Sequence, residues 1–375
     1  MRIGIDATPL PAQPVGAGVY IIQLIRALAT EPGAHRLVVF AQRGRRDLID
    51  TPRLTGVEWI ETPDLSPARR LVWEQVALPA LARRAGVEVL HSLHYTRPYF
   101  LPCASVVTFH DMTFFLYPKL HTFSKRVFFP WMMRMSARKA QAIIAVSKNT
   151  HRDAVRILKI APDKIFTVQN GIGAEFRPID DPALLEACRK KYNLEQPYIL
   201  YVGTVEPRKN LPLLLRAFAR LAAQGSDFSL VIVGRLGWMY EDVFRLVESL
   251  GLSGRVQFTG YVPAEDLPMV YNLAQIFVYP SLYEGFGFPP LEAMACGAPV
   301  ITTASSAMRD QVGDAAILTP PGDEQALYEA MDQLAHNPEL RRMLSVRGRS
   351  QAAQYTWQTT AQKTLQVYQW AILNR

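Results

Sequence analysis

Residues 276–303, IFVYPSLYEGFGFPPLEAMACGAPVITT, contain a short apolar run, a glycine-rich loop, a helical pattern and a second β-branched run. A strand, a helix and a strand in that order form a βαβ unit, which builds parallel sheets. Pro289 and Pro290 favour the first turn of the helix, where a proline loses no backbone hydrogen bond. The stretch therefore predicts an α/β fold with a loop-to-helix junction at a strand end.

The same alternation of β-branched runs with longer amphipathic segments continues along the whole chain. Six apolar runs stand in each half: RIGID, RLVVFA, EVLHSL, SVVTFHD, AIIAVS and IFTVQNG, then YILYVG, SLVIVG, VQFTG, IFVYPS, PVITT and AAILT. Twelve strands are too many for one ordinary open sheet, and 375 residues are about twice the commonest domain size. The sequence predicts two doubly wound, Rossmann-like domains.

Residues 173–197 mark the predicted boundary, because they concentrate Pro, Gly and Asp ahead of a strong strand that begins at Tyr198. The predicted divisions are residues 1–175, 176–355 and 356–375, the last a closing helix that packs back toward the first domain.

The composition is that of a globular protein: 49% of residues are hydrophobic, 20% are charged and the mean hydropathy is +0.02. These values argue against a fibre, a disordered chain and a multi-pass membrane protein. No stretch approaches the roughly 18 apolar residues of a spanning helix, and Asp6 stands where a signal peptide is apolar. Cys103, Cys188 and Cys296 form no CxxC pair. We expect a cytoplasmic protein with reduced cysteines.

Positive charge is concentrated in the first half. Residues 1–175 contain 23 Lys and Arg against 13 Asp and Glu, residues 176–375 contain 18 against 20, and the net charge is +8. A basic domain suits a nucleic acid, an acidic membrane face or a phosphorylated substrate, although a merely solvated surface has the same composition. Because aromatic and basic residues do not interleave in any RNA- or DNA-binding motif, we expect no nucleic-acid partner.

A candidate membrane-docking helix, SKRVFFPWMMRMSARK at 124–139, lies in this basic half. Helical spacing places an apolar side next to a set of cations: Val127, Phe128, Trp131, Met132 and Met135 beside Lys125, Arg126, Arg134 and Arg138. A helix of this kind is suited to an anionic membrane that carries a lipid-linked acceptor. Because Pro130 interrupts it, a helix that packs inside the domain is the favoured interpretation, and the membrane-docking helix is the alternative.

Ligands of open α/β sheets bind beyond the carboxyl ends of the strands, so the residues that follow each strand are the candidates for a site. After YILYVG, the loop TVEPRKN places Arg208 and Lys209 just ahead of a helix that opens at Asn210. Two fixed cations suit a diphosphate, Arg through its forked guanidinium and Lys as a point charge. A solvated basic loop is the alternative.

The loop of residues 284–292 is the second candidate. The backbone amides of Gly285, Phe286 and Gly287 would converge on an anion near the start of the helix. Glu284 and Glu292 flank this loop with seven residues between them. A ribose diol near the diphosphate needs a carboxylate acceptor, which Glu292 would supply.

In the first half, Gly16 and Gly18 precede a helix and indicate either a phosphate loop or an ordinary tight turn, since Ile21 replaces the third glycine of GxGxxG. His110 and Asp111 end the strand SVVTFHD. The sequence contains neither an HExxH pattern nor an Asp-x-Asp pair, so we expect no metal.

Taken together, these motifs resemble the retaining glycosyltransferases of the GT-B fold, specifically glycosyltransferase family 4. The resemblance covers essentially the whole chain: the Gly16-Ala-Gly18 turn, FHD at 109–111, AVSKNT at 145–150, VQNGI at 168–172, VGTVEPRKN at 202–210 and YEGFGFPPLEA at 283–293. The last is the Glu-x7-Glu motif of the family and the most specific of the six. The FHD and VGTVEPRKN motifs look most like bacterial GDP-mannose-dependent mannosyltransferases of surface polysaccharide synthesis.

The resemblance implies two Rossmann-like domains that face a central cleft and close on the substrates. It also implies a set of roles: Lys209 with Arg208 on the donor diphosphate, Glu292 on the ribose, Glu284 with the amides of residues 285–287 on the sugar and its phosphates, Gly16 and Gly18 closing from the first domain, backbone near Tyr261 and Val262 on the base, and His110 at the transferred sugar. Thr204 departs from the family, since many members carry Arg there, and this weakens the expected phosphate clamp.

The resemblance further implies metal-independent transfer of a hexose, with retention of configuration, to a glycan or polyprenyl-linked acceptor. No nucleophile is identified by the sequence: Asp111 is the nearest carboxylate to His110, and a front-face displacement assisted by the diphosphate is our preferred mechanism. A UDP- or dTDP-sugar donor and a non-catalytic binding subunit are the alternatives within the family. The missing third glycine argues against an oxidoreductase, and the absence of a cofactor-lysine context argues against a phosphorylase.

Overall fold

The structure is a computed structural model that describes residues 1–51, 54, 56–195, 197–237 and 240–375. The chain forms two compact units, unit 1 of residues 1–171 with 355–375 and unit 2 of residues 172–354. The chain therefore passes from unit 1 to unit 2 and returns to unit 1 for its last segment.

Unit 1 contains a seven-stranded, all-parallel sheet with the order β3-β2-β1-β4-β5-β6-β7. Its strands are β1 (Arg2–Asp6), β2 (Arg36–Gln42), β3 (Val57–Thr62), β4 (Val89–Ser92), β5 (Ala104–Phe109), β6 (Ala142–Ala145) and β7 (Ile165–Thr167). Its helices up to residue 171 are α1 (Ala17–Thr30), α2 (Arg46–Ile49), α3 (Pro67–Arg84), α4 (Thr113–Leu116), α5 (Phe123–Lys139) and α6 (Lys148–Leu158).

Unit 2 contains a six-stranded parallel sheet with the order β10-β9-β8-β11-β12-β13. Its strands are β8 (Tyr198–Val202), β9 (Ser229–Val233), β10 (Val256–Gly260), β11 (Ile276–Tyr279), β12 (Val300–Thr303) and β13 (Ile317–Thr319). Its helices are α7 (Pro182–Lys191), α8 (Leu211–Ala223), α9 (Glu241–Ser249), α10 (Leu267–Leu273), α11 (Phe288–Ala295), α12 (Ser306–Val312), α13 (Glu324–His336) and α14 (Pro338–Ala352). The last helix, α15 (Trp357–Leu373), belongs to unit 1.

The predicted fold class is confirmed, since both sheets are parallel and helices connect successive strands in each, except β4 and β5, which a loop joins. All twelve predicted strands are present, and β3 is an additional one. Its sequence, VEWIET, is only partly buried because the strand lies at the sheet edge, whereas β5 and β8 are buried along their whole length. Two exposed glutamates, Glu58 and Glu61, interrupt the apolar residues of β3, so it lacks the continuous apolar run that identified the strands covered on both faces.

Helix α5 differs from its prediction. It continues through Pro130, which removes one backbone donor without ending the helix. Met132 and Met135, expected on a membrane-facing side, are buried in unit 1, while Phe123, Val127 and Trp131 are exposed. The prediction that Met132 and Met135 belong to the exposed apolar side of the helix is therefore wrong. Among the described residues, no helix has the length and apolar content that crossing a bilayer requires.

Polar contacts anchor α15 inside unit 1. The buried His91 ring bridges two hydroxyls, with Nδ1 2.7 Å from Tyr368 Oη of α15 and Nε2 2.8 Å from Thr108 Oγ1 of β5. Thr360 Oγ1 donates to the Gln169 carbonyl at 2.8 Å. The Thr360 bond holds the start of α15 against the backbone that follows β7, and the His91 bonds hold a later turn of the helix against β4 and β5.

Gly171 lies where this contact is tightest, and replacing it with alanine is expected to destabilise unit 1. The added methyl group would lie 2.1 Å from the Trp357 backbone nitrogen and 2.4 Å from the Thr356 carbonyl carbon, so backbone must move. We expect Gly171→Ala to lower the melting temperature by about 6–12 °C, corresponding to a loss of about 3 kcal/mol.

The matched control is Gly254→Ala, because no atom lies within 4 Å of a methyl group at that position. The control should change the melting temperature by less than about 3 °C. Equal melting temperatures for the two alanine variants would contradict the packing of Gly171 against α15.

Candidate active site

The candidate site of unit 2 is built on two neighbouring strands. β8 pairs with β11, Ile199 with Ile276 and Leu200 with Phe277, at the position where the strand order of the sheet reverses. Ligands of doubly wound sheets bind at such a reversal, because the loops after the two strands diverge and leave a crevice. The two loops, residues 203–210 and 280–287, contain five of the ten donor-binding residues predicted from the sequence, and Glu284 as well.

Backbone hydrogen bonds join the two loops directly. The Leu282 N–H donates to the Arg208 carbonyl at 3.0 Å, and Ser281 Oγ donates to the same carbonyl at 3.3 Å. The first loop ends in a single 3₁₀ turn, Pro207–Lys209, before α8 begins at Leu211. This turn directs Arg208 and Lys209 toward the second loop.

Glu284 lies between the two cations. Lys209 Nζ is 2.6 Å from Glu284 Oε1, and Arg208 Nη1 is 2.7 Å from Glu284 Oε2. Arg208 Nη2 contacts Glu206 Oε1 at 2.7 Å. Lys209 is 8% exposed and Glu284 7%, so the pair is nearly removed from solvent. The structure thus brings three predicted residues into one charge-balanced network.

Tyr279 and Ser281, which sequence reasoning missed, complete this network. Tyr279 Oη lies 2.5 Å from Lys209 Nζ, and Ser281 Oγ donates to Glu284 Oε1 at 2.6 Å. An ammonium has three N–H donors. Lys209 uses two of them on described residues, which leaves one for a ligand. The available sequence signal was the pair of hydroxyls around Pro280, directly after the apolar run IFV.

Electrostatics fix the charge of Glu284. Burial raises the pKa of this carboxyl, but Arg208 and Lys209, with the hydrogen bonds of Lys209 and Ser281, outweigh burial and bring the pKa to about 2. Burial and then Arg208 lower the pKa of Lys209, while Glu284 and Glu206 oppose that shift. Glu284 is therefore a carboxylate at any physiological pH.

The glycine-rich loop has a backbone shape that requires glycine at its end. Gly287 has φ +92°, and a methyl group there would lie 2.3 Å from Met308 Cε. The Glu284 N–H donates to Ser306 Oγ at 2.8 Å, and Ser306 itself has φ +50°. A strained residue that holds a neighbouring loop is typical of functional sites. Gly285 and Phe286 are buried in this loop.

Glu292 lies on α11 and is half-buried. Tyr271 Oη donates to Glu292 Oε2 at 2.9 Å. Burial raises the pKa of Glu292 to about 7, with the Tyr271 hydrogen bond opposing the shift and Glu175 adding to it. Within the described residues, Glu292 has no hydrogen bond to the Lys209 network, so the structure gives the two glutamates of the motif different environments.

The loop after β10 contains the predicted base-contacting residues. Tyr261 is half exposed and its ring lies 4.4 Å from the Arg235 guanidinium carbon, while Val262 is buried. The ring and the guanidinium form a flat, partly exposed surface.

In unit 1, His110 follows β5 and is held in one orientation. Its Nε2 lies 2.8 Å from the Leu93 carbonyl, and the rings of Tyr20, His94 and Tyr95 surround it at 5.0 to 5.7 Å between centroids. Burial lowers the pKa of His110, with the Leu93 carbonyl and Asp111 opposing the shift. A neutral ring that donates from Nε2 carries its lone pair on Nδ1, so His110 is an acceptor at Nδ1.

Asp111 is engaged in local structure. Its Oδ1 accepts hydrogen bonds from the Thr113 N–H at 2.9 Å and from Thr113 Oγ1 at 2.7 Å, which fixes the start of α4.

Gly16 lies directly before α1 and has φ +50°. A methyl group at Gly18 would lie 3.0 Å from Pro14 and 3.3 Å from Pro11. The turn is therefore both left-handed at Gly16 and tightly packed at Gly18. Across the described part of the chain, no group of three His, Cys, Asp or Glu side chains is placed to hold a metal ion.

The fold and these loops define a GT-B glycosyltransferase. The structure is similar to sucrose-phosphate synthase from Thermosynechococcus elongatus, with a TM-score of 0.80, 23% identity and 98% of each chain covered. It is also similar to Anabaena HepE in complex with UDP-glucose, with a TM-score of 0.79, 18% identity and 98% of each chain covered.

Sequence comparison places the chain within that class. Residues 186–351 match the model of the family "Glycosyl transferases group 1", and residues 14–176 match that of "Glycosyltransferase Family 4". The chain is 33% identical to O-antigen chain mannosyltransferase B of Escherichia coli, over 98% of this chain and 99% of the relative. The chain belongs to family 4 of the glycosyltransferases and is a hexosyltransferase.

Proposed function

We propose that the protein is a retaining, metal-independent mannosyltransferase that uses GDP-mannose in the assembly of a bacterial surface polysaccharide. The buried Arg208–Glu284–Lys209 network at the strand-order reversal carries the proposal, because it provides two fixed cations for a diphosphate. Similarity to an O-antigen chain mannosyltransferase over nearly the full length of both chains supports the choice of sugar and of a glycan product.

Binding of the donor exchanges hydrogen bonds within this network. Arg208 and Lys209 are balanced by Glu206 and Glu284, so an arriving diphosphate adds negative charge to a neutral cluster. The third N–H of Lys209 donates to a phosphate oxygen of the donor. Arg208 shares the N–H donors of its forked guanidinium between Glu284 and the diphosphate. Within unit 2, the amides of residues 285–287 complete the donor contacts.

In the proposed step, the bond between the anomeric carbon and the diphosphate oxygen breaks, and the acceptor hydroxyl oxygen forms its bond on the same face. The hydroxyl proton passes to an oxygen of the departing diphosphate. Arg208 and Lys209 stabilise the negative charge that develops on this leaving group, the role for which a divalent ion is otherwise used. The Nδ1 acceptor of His110 binds a hydroxyl of the transferred sugar.

Asp111 is not required as a nucleophile in this scheme. Its Oδ1 already accepts two hydrogen bonds from Thr113, which favours a structural role. Trapping of a covalent glycosyl adduct on Asp111 would overturn the front-face step.

Glu292 is proposed to accept hydrogen bonds from the ribose hydroxyls. Its pKa of about 7 then makes donor binding depend on pH, since the carboxylate is the better acceptor. We expect the dissociation constant of GDP-mannose to fall about fivefold between pH 6 and pH 8, and to be weaker and nearly independent of pH in Glu292→Gln. Isothermal titration calorimetry measures the dissociation constants of the wild-type protein and of Glu292→Gln. A dissociation constant of Glu292→Gln that changes with pH as in the wild-type protein would contradict the assignment.

The same raised pKa has an opposite effect on stability. Because Glu292 binds its proton more tightly in the folded protein than at its ordinary pKa of 4.5, folding stability decreases as the pH rises from about 4.5 to about 7. Glu292→Gln removes that loss, so the variant should be the more stable protein at pH 8.

Mannose transfer tests the proposal directly. The purified protein, GDP-mannose and a lipid-linked glycan acceptor from surface polysaccharide synthesis are incubated with EDTA, and the anomeric configuration of the product is read by NMR. We expect an α-linked mannose, the configuration of the donor. An inverted product would overturn retention, loss of activity in EDTA would overturn metal independence, and transfer only from UDP- or dTDP-sugars would overturn the donor.

We also propose that the enzyme acts at the cytoplasmic side of a membrane that carries its acceptor, as a peripheral protein.

A further inference from the structure

Helix α5 presents an apolar stripe to solvent. Phe123, Val127 and Trp131 are 78%, 60% and 62% exposed. Their spacing of four residues keeps them within about 80° of the helix circumference. Three large apolar side chains in one exposed row are unusual, since single exposed residues are normal and contiguous apolar patches mark interaction sites.

Basic side chains share this surface. The sequence of α5 contains no Asp or Glu, and its five cations are all exposed: Lys125, Arg126, Arg134, Arg138 and Lys139. Arg134 and Arg138 fall within the same arc as the apolar stripe. The helix therefore combines an apolar row with positive charge on one side.

The loop before β5 places two exposed aromatic rings beside the C-terminal end of α5. Lys139 Nζ lies 4.7 Å from the ring centroid of Tyr99, and the rings of Tyr99 and Phe100 are 4.7 Å apart. Tyr99 is 42% exposed and Phe100 78%. We call these two residues with Phe123, Val127, Trp131, Arg134 and Arg138 the docking face.

We infer that the docking face binds the surface of an anionic lipid bilayer. Aromatic and aliphatic side chains insert at the boundary between headgroups and acyl chains, while Lys and Arg pair with lipid phosphates. A basic partner is disfavoured because α5 has no acidic residue to meet it. A second copy in a symmetric contact is disfavoured because it would bring the arginines of the docking face, Arg134 and Arg138, against the same arginines of the other copy.

The role of the docking face rests on the proposed function, because a membrane-anchored acceptor gives the enzyme a reason to bind lipid. Binding to lipid can nevertheless be measured without any substrate. The full-length protein is floated with vesicles of phosphatidylcholine alone or of phosphatidylcholine with phosphatidylglycerol, at low and high NaCl. We expect flotation only with the anionic vesicles, and a loss at high salt.

Two variants separate the apolar and the basic contributions. We expect Phe123→Ser/Val127→Ser/Trp131→Ser and Arg134→Gln/Arg138→Gln each to reduce the bound fraction at least about tenfold. The matched control, Leu184→Ser/Val346→Ser, removes residues of unit 2 that are 45% and 59% exposed, and should float like the wild-type protein. All the changed side chains are exposed, so the variants should fold, which unchanged melting temperatures verify.

Equal flotation of the triple serine variant and the wild-type protein would overturn the inference. Equal flotation of the wild-type protein with vesicles that contain phosphatidylglycerol and vesicles that lack it would also overturn it. Lipid-free dimers that the triple variant abolishes would assign the face to a second copy and also overturn it. Flotation with no mannose transfer would contradict the proposed function and leave the docking face intact.

Discussion

Replacing Lys209 with methionine is expected to lower kcat by about 10²- to 10³-fold while the fold is preserved. Lys209 is the buried ammonium of the donor loop, 2.6 Å from Glu284 and 2.5 Å from Tyr279, with one N–H left for a phosphate oxygen. Methionine retains most of the aliphatic length and removes the charge that would stabilise the departing diphosphate. Initial rates of mannose transfer at saturating donor measure the effect.

Lys191→Met is the matched control. Lys191 Nζ also lies 2.6 Å from a carboxylate of unit 2, that of Asp266, but this pair is formed by α7 and the start of α10 and lies outside the candidate site. We expect less than a twofold change in rate for the control. Equal rates in Lys209→Met and Lys191→Met would remove Lys209 from the transfer step.

Replacing Glu284 with glutamine is expected to separate binding from turnover. The carboxylate is ionised, with a pKa of about 2, and it balances Arg208 and Lys209. The neutral amide leaves both cations with an excess of positive charge, so the affinity for GDP should increase several-fold. The cations also lose the group that positions them, so kcat should fall about 100-fold.

Glu186→Gln serves as the control for Glu284→Gln. Glu186 is likewise held by two cations, Arg189 at 2.6 Å and Lys190 at 3.5 Å, but on the exposed surface of α7. It should change neither the GDP affinity nor kcat. Weaker GDP binding in Glu284→Gln would show that the carboxylate assists the diphosphate instead of competing with it.

The pH dependence of Glu284→Gln provides a further check. Because the pKa of Glu284 is lower in the folded protein than its ordinary value of 4.5, the carboxylate stabilises the fold above pH 4.5, and this contribution is lost as the pH falls toward 2. The glutamine variant lacks the contribution at every pH. Its stability should approach that of the wild-type protein on acidification.

The sequence was sufficient for the fold because the strands that build the two sheets are short, apolar and separated by helical patterns. Strands such as β8, buried along all five residues, leave a pattern that does not depend on their neighbours. β3 was missed because Glu58 and Glu61 interrupt its apolar residues and leave no continuous apolar run.

For the candidate site, spacing along the chain identified Arg208, Lys209 and Glu284, because two loops that follow adjacent parallel strands must meet. Spacing did not identify Tyr279, since a Tyr at the end of an apolar strand is as consistent with core packing as with a role in the site. Nor did it identify Ser306, whose contact with the Glu284 backbone depends on the path of a loop 22 residues away. Contacts of that kind are set by backbone conformation, which periodicity does not report.

The membrane-facing side of α5 shows the same limit. Helical spacing placed Met132 and Met135 beside Trp131, but the direction in which a helix faces its own domain depends on its tertiary packing. Met133 and Phe129 pack in a core cluster with β5, β6 and α6, and this turns the methionines inward.

A metal-independent donor site for GDP-mannose built on Lys209 can be tested without an acceptor. The measurement is the melting temperature of the purified protein with GDP-, UDP-, ADP- and dTDP-sugars, with and without EDTA. Ligand that binds only the folded state raises the melting temperature. We expect an increase with GDP-mannose that persists in EDTA and is lost in Lys209→Met but not in Lys191→Met. An increase that EDTA abolishes, or one that Lys209→Met retains in full, would contradict this site.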